Sequence, residues 1–381
     1  LLCLALTASA QMKPRVIVSG PIGGADAGDY QSLVHLLLYS DALDIEGIMS
    51  SPPGAGRAQH IRQVIDLYEK DYANLRSHSA DYPAPARLRA LVKQGATADP
   101  GPTGVAAPTE GSDWIIRCAR RPDGRPLFLL VWGGLEDVAQ ALHDAPEILP
   151  RLRVHFIGGA NKMWSVNAYN YLEQLHPDLW MIESNSTHTG WFTGGEQMEP
   201  WDNSSFVSTY VANRGALGTF FAAQLHGSLK MGASASVGAL LFTDPENPER
   251  PGWGGRFVQV WDNRKTRFYR LTSASDQVDL YGVAEFYLPL PPGATPQTRA
   301  SLLLDGRAPV LAQNTGRSLL FRLSLPEARV WSYALRSDFP ALDGLTGSLS
   351  AVAPSPQRML RPAPAHPNWW TDDLDPNNAE G

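Results

Sequence analysis

Two aspartates stand in a glycine-rich loop that follows the first apolar segment of the mature chain. Residues 16–33 read VIVSGPIGGADAGDYQSL, so Asp26 and Asp29 lie between a β-branched run and a helix-like run. Loops of this kind commonly hold a phosphate group or a metal ion. The dinucleotide pattern G-x-G-x-x-G is matched only loosely here, and G-x-x-x-x-G-K-[ST] does not occur. Carboxylate oxygens instead favour a hard cation such as calcium, although Asp29 is equally suited to cap a helix.

A second group of polar side chains follows the other apolar segments. Glu183 ends the run LWMIE, and His188 follows in STHTGWF. Both are candidates for a general acid, with a salt bridge and an ordinary loop residue as the plainer alternatives. The remaining candidates suit sugars, because amides bond hydroxyl groups and indole rings stack on C–H faces: Asn161, Asn167, Asn170, Trp164, Trp191 and Trp253. No G-x-S-x-G, H-E-x-x-H or paired C-x-x-C motif occurs, so nothing favours a serine hydrolase or a zinc enzyme.

Apolar runs that alternate with helical periodicity predict the frame for these residues. Strands are expected at 15–19, 44–50, 127–132, 154–159 and 179–183, and helices at 57–76, 136–143 and 167–175. The strands lack period-2 alternation, which predicts an α/β fold with a mostly parallel sheet flanked by helices over 11–275. Ligands bind outside the carboxyl ends of such strands, so the polar segments should meet at one rim. Short runs between turns predict a small β-rich C-terminal region over 276–381, with a Pro-rich tail.

Composition and the first residues restrict the class of protein. The chain has 381 residues and a formal net charge of −6, and no basic run occurs, which argues against binding a nucleic acid polymer. Residues 1–10 (LLCLALTASA) resemble the end of a signal peptide with an A-x-A cleavage site. We therefore expect a secreted or periplasmic protein that has no membrane segment after cleavage and retains one cysteine, Cys118. The oligomeric state is left open.

Several long blocks resemble a family of secreted proteins with a nucleoside-hydrolase-like domain, named after a cellulose-binding protein of a marine polysaccharide degrader. These blocks are RVIV with the QSLVHLLLYS and DIEG that follow, GGANKMWSVNAYNYLEQ, RGALGTFFAAQLHGSLKMG, DPENPERPGWGGRFV and HPNWWTDD. The resemblance implies a nucleoside-hydrolase-type α/β core with a small C-terminal β domain.

Nucleoside hydrolases are more remotely similar, through an N-terminal D-x-D-x-G-x-D-D signature whose carboxylates bind calcium and activate water. By this resemblance Asp29 and Asp244 would bind the metal and orient water, Glu136 would offer a backbone carbonyl, and Asn170 would bind the sugar. The first aspartate of the signature is Pro21 here and another is Gly28, while Asp26 is an unaligned carboxylate nearby. Too few oxygens then remain for the six to eight that calcium prefers, so we expect a calcium site that is weak or empty.

Two functions from different classes follow. The first is a hydrolase of N- or O-glycosidic bonds, in which water attacks an anomeric carbon while Asp29 and Asp244 orient water and diols. The second is a non-catalytic carbohydrate-binding protein, which uses the tryptophans on the same scaffold to hold a cellulose-type polysaccharide or a ribosyl-type ligand. Release of sugar from nucleosides, aryl glycosides or polysaccharides would distinguish them.

Overall fold

The structure is a computed structural model. It describes residues 12–24, 26–101, 103–190, 198–199, 201–259, 267–272, 283–305, 309–314, 316, 318–324 and 330–350. The predicted signal segment, the Pro-rich tail and Trp191 lie outside these residues, so those predictions stay predictions. Within the described ranges, no helix is long and apolar enough to cross a membrane.

The centre of the molecule is an eight-stranded sheet in the order β3-β2-β1-β4-β5-β6-β8-β7. Every neighbouring pair is parallel except β7 and β8, which are antiparallel. The strands are β1 (Arg15–Gly20), β2 (Asp44–Ser50), β3 (Val92–Gln94), β4 (Leu127–Val131), β5 (Leu152–Ile157), β6 (Met181–Ser184), β7 (Phe257–Gln259) and β8 (Phe268–Leu271). The predicted α/β fold with a mostly parallel sheet is confirmed.

Helices connect these strands and cover the sheet. They are α1 (Gly28–Leu38), α2 (Ala58–His78), α3 (Pro85–Ala90), α4 (Glu110–Ala119), α5 (Glu136–Asp144), α6 (Ala160–Trp164), α7 (Val166–Leu175), α8 (Asn203–Phe206), α9 (Gly215–Ala223) and α10 (Ser234–Gly238). Short 3-10 turns lie at Pro146–Arg151 and Thr187–Thr189, and a π-helical turn at Val207–Val211.

Strand β1 shows why both faces of the sheet need cover. All six of its residues are buried. Val16 and Val18 pack in one apolar core with residues of α1, α2, α9 and α10, while Ile17 packs in a second core with residues of α4, α5 and α7. A strand that is buried on both sides reads as a continuous apolar run, as the sequence does here.

The start of α1 differs from the expectation that Asp29 caps it. Helix α1 begins at Gly28, and Asp29 is its second residue. The cap-like bond comes from Asp26, whose Oδ1 accepts a hydrogen bond from the backbone N–H of Gly28 at 2.8 Å. Asp29 is thereby left facing the carboxyl end of the sheet without a capping role.

Beyond the parallel sheet the chain forms two small antiparallel sheets, as predicted. One has the order β11-β10-β14-β15 and the other β12-β13-β9. Their strands are β9 (Val283–Pro289), β10 (Ala300–Leu304), β11 (Val310–Leu311), β12 (Gln313–Asn314), β13 (Ser318–Ser324), β14 (Val330–Ser337) and β15 (Thr346–Ser350). Their shared core includes Trp331 and also Val166 of α7, which therefore joins this β region to the α/β sheet. The predicted boundary after residue 275 falls between β8 and β9, outside the described residues.

Candidate functional site

A cavity of about 500 Å³ opens at the carboxyl ends of the central strands, and we call it the carboxyl-edge pocket. Loops after β1, β2, β4, β5 and β6 and the loop after α9 supply its lining residues: Pro21, Asp26, Asp29, Pro53, Gly54, Trp132, Ile157, Ala160, Asn161, Trp164, His188, Lys230, Gly232 and Ala233. Of the twelve residues proposed from the sequence for catalysis, substrate or metal binding, the pocket brings together Asp26, Asp29, Asn161, Trp164 and His188.

Trp132 and Trp164 are the indole rings of this pocket. Trp132 follows β4 directly, is buried, and donates from Nε1 to Oγ of Ser236 at 2.9 Å, so its ring forms a fixed wall. Trp164 ends α6, and 63% of its surface is exposed. A large apolar ring this exposed at a pocket rim is available to stack on a ligand.

The loops after β5 and β6 are locked to each other. Gly159 has a φ of +53°, and a Cβ there would clash with His188 and the backbone of Asn185, so glycine is required for this close approach. The backbone N–H of Gly159 donates to Oδ1 of Asn185 at 2.9 Å. Asn161 donates from Nδ2 to the carbonyl oxygens of Trp132 and Ile157, at 2.7 and 3.0 Å. Its amide oxygen is the acceptor left for a ligand.

Glu183 is not part of the pocket lining but lies beneath it. Its carboxylate is fully buried and accepts hydrogen bonds from Lys162 Nζ at 3.1 Å, Tyr169 OH at 2.7 Å and Asn185 Nδ2 at 2.8 Å. A further contact of 3.3 Å joins it to Arg270. The structure therefore places Glu183 outside the pocket lining, with its carboxylate held by these partners, and its role as a general acid stays a prediction. The carboxylate fixes Asn185, and through Asn185 the two rim loops.

The charged centre of the pocket is Asp26, Asp29 and Lys230. Lys230 Nζ lies 2.7 Å from Oδ2 of Asp26. Asp29 is 6% exposed, and burial, together with the charge of Asp26, raises its pKa well above that of an ordinary aspartate, while Lys230 acts in the opposite direction. No hydrogen bond from the described residues is among the causes of this pKa shift. The pocket thus presents, beside an ion pair, a buried carboxyl group that holds its proton more tightly than an ordinary aspartate.

Neither Lys230 nor Gln31, which positions it, was identified from the sequence as part of the site. The backbone N–H of Lys230 donates to Oε1 of the buried Gln31 at 2.8 Å, while Nε2 of Gln31 donates to the carbonyl of Ser228. Gln31 lies on α1 two residues after Asp29, so one helix turn positions both the carboxyl group and the lysine. No local signal distinguishes this lysine, since its contact with Asp26 spans 204 residues.

His188 lines the pocket as a neutral side chain. Burial is the main reason that its pKa falls to about 4. Nδ1 lies 2.8 Å from the carbonyl oxygen of Asn185 and donates to it, which leaves Nε2 as the acceptor nitrogen. A histidine with this lowered pKa is neutral near pH 7 and lines the pocket, where its role as a general acid stays a prediction.

Asp244 and Trp253 lie at the opposite edge of the sheet, so placing them in one site with Asp29 is wrong. Asp244 borders a different cavity together with Lys13, which precedes β1, and Arg125, which precedes β4. These residues mark the amino ends of the strands. Asp244 is exposed, and its Oδ1 accepts from the backbone N–H of Glu246 at 3.2 Å, which is an Asx turn.

Glu136, Asn167 and Asn170 are buried in the layer formed by α5 and α7, and none of them lines the pocket. Asn167 donates from Nδ2 to Asp99 at 3.2 Å. Asn170 is 2% exposed. The structure therefore places these two asparagines outside the pocket lining, and their assignment to sugar binding stays a prediction. Glu136 is the first residue of α5, so its carbonyl oxygen belongs to the hydrogen bonds of that helix.

The residues at the carboxyl-edge pocket do not fit a calcium ion. Pro21 has no side-chain oxygen, the ammonium group of Lys230 already neutralises Asp26, and Asp244 is at the other edge. Among the residues that the structure describes, no group of three or more His, Cys, Asp or Glu side chains could hold a metal ion. Calcium prefers six to eight oxygen ligands, which this set does not supply.

The eight-stranded sheet and its carboxyl-edge pocket define an α/β protein of the nucleoside-hydrolase-like type. Residues 15–257, more than half of the chain, match the family described as "Cellulose-binding Sde182, nucleoside hydrolase-like domain". The chain therefore belongs to this family. No curated protein sequence is significantly similar to it.

Of two similar solved structures, one matches this chain with a TM-score above 0.5. A nucleoside hydrolase-related hypothetical protein from Saccharophagus degradans, associated with carbohydrate metabolism, is 18% identical with a TM-score of 0.58, over 88% of this chain and 98% of that one. The inosine-uridine preferring nucleoside hydrolase of Bacillus anthracis is 16% identical with a TM-score of 0.43, over 68% of this chain and 93% of that one. At 18% identity the likeness to the Saccharophagus degradans protein concerns the fold alone.

Proposed function

We propose that this protein binds a sugar residue of a glycan in the carboxyl-edge pocket and does not hydrolyse it. The observation that supports this most directly is an exposed indole, Trp164, at the rim of a cavity that also holds Asn161, Asp26 and Asp29. A sugar ring presents C–H groups on its face and hydroxyl groups on its edge. The pocket offers a ring for the face and amide and carboxyl oxygens for the edge. Its volume lies within the range of small-ligand sites.

The same pocket is poorly equipped for water attack at an anomeric carbon. The position where the resemblance expects the key aspartate is Pro21, which lines the pocket and cannot accept a proton. Asp26 is engaged by Lys230 and by the backbone of Gly28. Burial raises the pKa of Asp29, so this carboxyl group gives up its proton less readily than an ordinary aspartate. Binding therefore needs no further assumption, whereas hydrolysis lacks an evident base.

The charge of the pocket favours a mechanism of binding without calcium. In our proposal the ammonium group of Lys230 supplies the positive charge that a dication would otherwise supply beside Asp26. In its protonated form, which the raised pKa favours, the Asp29 carboxyl group donates one hydrogen bond to a sugar oxygen and accepts another from a hydroxyl group.

One observation favours hydrolysis of a glycosidic bond as the second candidate function. Glycosidases commonly use two carboxyl groups, of which one is ionised and the other keeps its proton. Asp26, beside an ammonium group, and Asp29, with its raised pKa, form such a pair. In this alternative Asp29 would protonate the leaving oxygen, and Asp26 would act on the anomeric carbon or on a water molecule.

Titration calorimetry with cello-oligosaccharides, xylo-oligosaccharides and nucleosides, combined with assays of sugar release, tests both candidates. We expect binding without turnover, and a loss of about tenfold or more in affinity for Trp164→Ala, since a stacking ring at a binding site is commonly worth more than 1 kcal/mol. Trp201→Ala is the matched control, because 48% of Trp201 is exposed and it does not line the pocket.

The variant Asp29→Asn distinguishes the two functions. It preserves the shape of the side chain and removes the proton that an acid catalyst would deliver. Binding alone predicts an affinity within about tenfold of the natural protein. Sugar release that is present in the natural protein and absent in this variant would refute the binding-only proposal. Wild-type affinity in Trp164→Ala would refute the assignment of the pocket.

Export is the remaining part of the proposal. A glycan ligand of the cellulose type lies outside the cell, which agrees with the signal-like residues 1–10. Amino-terminal sequencing of the protein from culture medium and periplasm should show cleavage after Ala10. Recovery of the uncleaved chain in the cytoplasm alone would refute this part.

A further inference from the structure

The block that contains Asp244 and Trp253 has no part in the pocket and needs its own explanation. It lies at the amino ends of the strands and borders an open cleft of about 920 Å³, which we call the amino-edge cleft. Glu246 anchors the block to the sheet, since its two carboxylate oxygens each lie 2.8 Å from a nitrogen of Arg153 on β5. The block is therefore firmly attached to the central sheet.

Phe242, at the start of this block, is strained and exposed at the same time. Its φ is +56°, a left-handed backbone conformation that bulky residues rarely adopt. Burial of the ring would be the usual compensation, yet 71% of Phe242 is exposed. Strain that is not offset by burial is commonly associated with a functional site.

Trp253 is also exposed on a backbone that is tightly constrained. It occupies the tip of a tight turn in which Gly252 and Gly255 exchange two backbone hydrogen bonds, of 3.0 and 3.1 Å. The next residue, Gly254, lies so close to α10 that a Cβ would clash with Ala235 and Ala239. The backbone is thus fixed, while half of the indole surface is exposed.

The two rings form one angled surface. The centroids of Phe242 and Trp253 are 4.9 Å apart with the planes at 46°, and Tyr39 supports Trp253 edge-on at 6.1 Å. Phe242 lines the amino-edge cleft, so this aromatic pair stands at its margin. Aromatic rings beside polar side chains suit the apolar faces and hydroxyl edges of sugar rings.

The charges around the cleft favour a neutral ligand. Lys13 is paired with Asp81 and Arg125 with Asp44, so these two cations are already balanced. Asp244 and Arg250 are exposed beside the cleft and have opposite charges. A nucleotide or an acidic polymer would meet no excess of positive charge here, whereas hydroxyl groups can bond both side chains.

The geometry points to a second carbohydrate site at the amino edge, in which Phe242 and Trp253 stack on neutral sugar units of a polysaccharide and Asp244 and Arg250 bond their hydroxyl groups. This surface is independent of the carboxyl-edge pocket, because the two lie at opposite ends of the strands. A protein with both sites would hold two separate segments of a glycan.

Retention on amorphous cellulose tests this site in the Trp164→Ala background, which weakens the pocket. Adding Trp253→Ala should lower the partition coefficient by about tenfold, whereas adding Trp201→Ala should leave it unchanged, since the two tryptophans are 50% and 48% exposed. The inference is overturned if Trp253→Ala and Trp201→Ala give equal retention, or if Trp164→Ala alone abolishes it. Loss of binding by Trp164→Ala to soluble oligosaccharides with retention on cellulose intact would support two sites.

The variant Phe242→Gly distinguishes a ligand-binding role of Phe242 from a purely structural one. Glycine adopts the left-handed conformation without strain, so the unfolding midpoint should stay equal or rise while cellulose retention falls by about tenfold. A lower midpoint with unchanged retention would contradict the inference. Light scattering is the second control: if Trp253→Ala converts a dimer into a monomer, the aromatic pair is an interface between copies and the proposed site is wrong.

Discussion

A buried carboxyl group at the start of α5 should make the protein less stable as pH rises. Glu136 is 4% exposed, and burial is the main reason that its pKa rises from 4.5 to about 8, although Ser165 and the helix backbone partly oppose the shift. Between these two pH values the unfolded chain has lost the proton while the folded chain retains it. The folded state binds more protons, so the free energy of unfolding falls as pH increases.

The magnitude follows from the width of that interval. Each pH unit lowers the free energy of unfolding by about 1.4 kcal/mol. From pH 4.5 to pH 8 the total is about 5 kcal/mol. Glu136→Gln keeps the shape and removes the ionisation, so the variant should equal the natural protein near pH 4 and exceed its stability increasingly above pH 5.

Urea denaturation followed by tryptophan fluorescence at pH 4, 6 and 8 measures this difference. Other buried acids contribute to the pH dependence of both proteins, but they cancel in the comparison. Glu249→Gln is the control, because Glu249 is exposed. A difference between Glu136→Gln and the natural protein that is constant across pH would refute the argument, since it would mean that Glu136 titrates alike in the folded and unfolded chains.

Three further predictions concern acid stability, backbone packing and calcium. Burial lowers the pKa of His155 to about 3, so below pH 6.5 the unfolded chain gains a proton that the folded chain does not, and the free energy of unfolding should fall by about 1.4 kcal/mol per pH unit. The variant His155→Gln should remove part of this loss in denaturation curves at pH 4 and pH 7. An equal loss in the variant would contradict the assignment of the effect to His155. Gly254→Ala should destabilise the folded protein by about 1–3 kcal/mol because the added Cβ would clash with α10, whereas the Cβ of Gly124→Ala meets no atom within 4 Å and should change the stability little. Equal unfolding midpoints for the two variants would show that α10 shifts to make room for the Cβ. Calcium at millimolar concentration should leave the unfolding midpoint of the natural protein unchanged, because Lys230 already pairs with Asp26; a clear rise on adding calcium, reversed by a chelator, would show that the pocket binds the ion.

Much of the fold was predictable because the burial of an element is reflected in the apolar pattern of its own residues. The run RVIVSG of β1 is buried at every position, and the observed strand Arg15–Gly20 extends the expected one by a single residue. Helix α2 was expected at 57–76 and spans Ala58–His78. Short elements were harder, since the three-residue strand β3 has too few positions for a period to show.

Only part of the candidate site was predictable. Asp26, Asp29, Asn161, Trp164 and His188 lie in the segments that come after β1, β5 and β6, and parallel strands bring such segments to one edge. That rule does not apply to residues farther from a strand end.

The sequence by itself determined the class of fold, because the period and length of apolar runs depend only on which faces of each element are buried. It also determined that residues after β1, β5 and β6 would meet. The tertiary structure alone decided that Lys230 would join them and that Asp244 would not. The direction in which a long connection returns depends on contacts between distant residues, such as Gln31 with Lys230 and Arg153 with Glu246, and such contacts leave no local pattern in the chain.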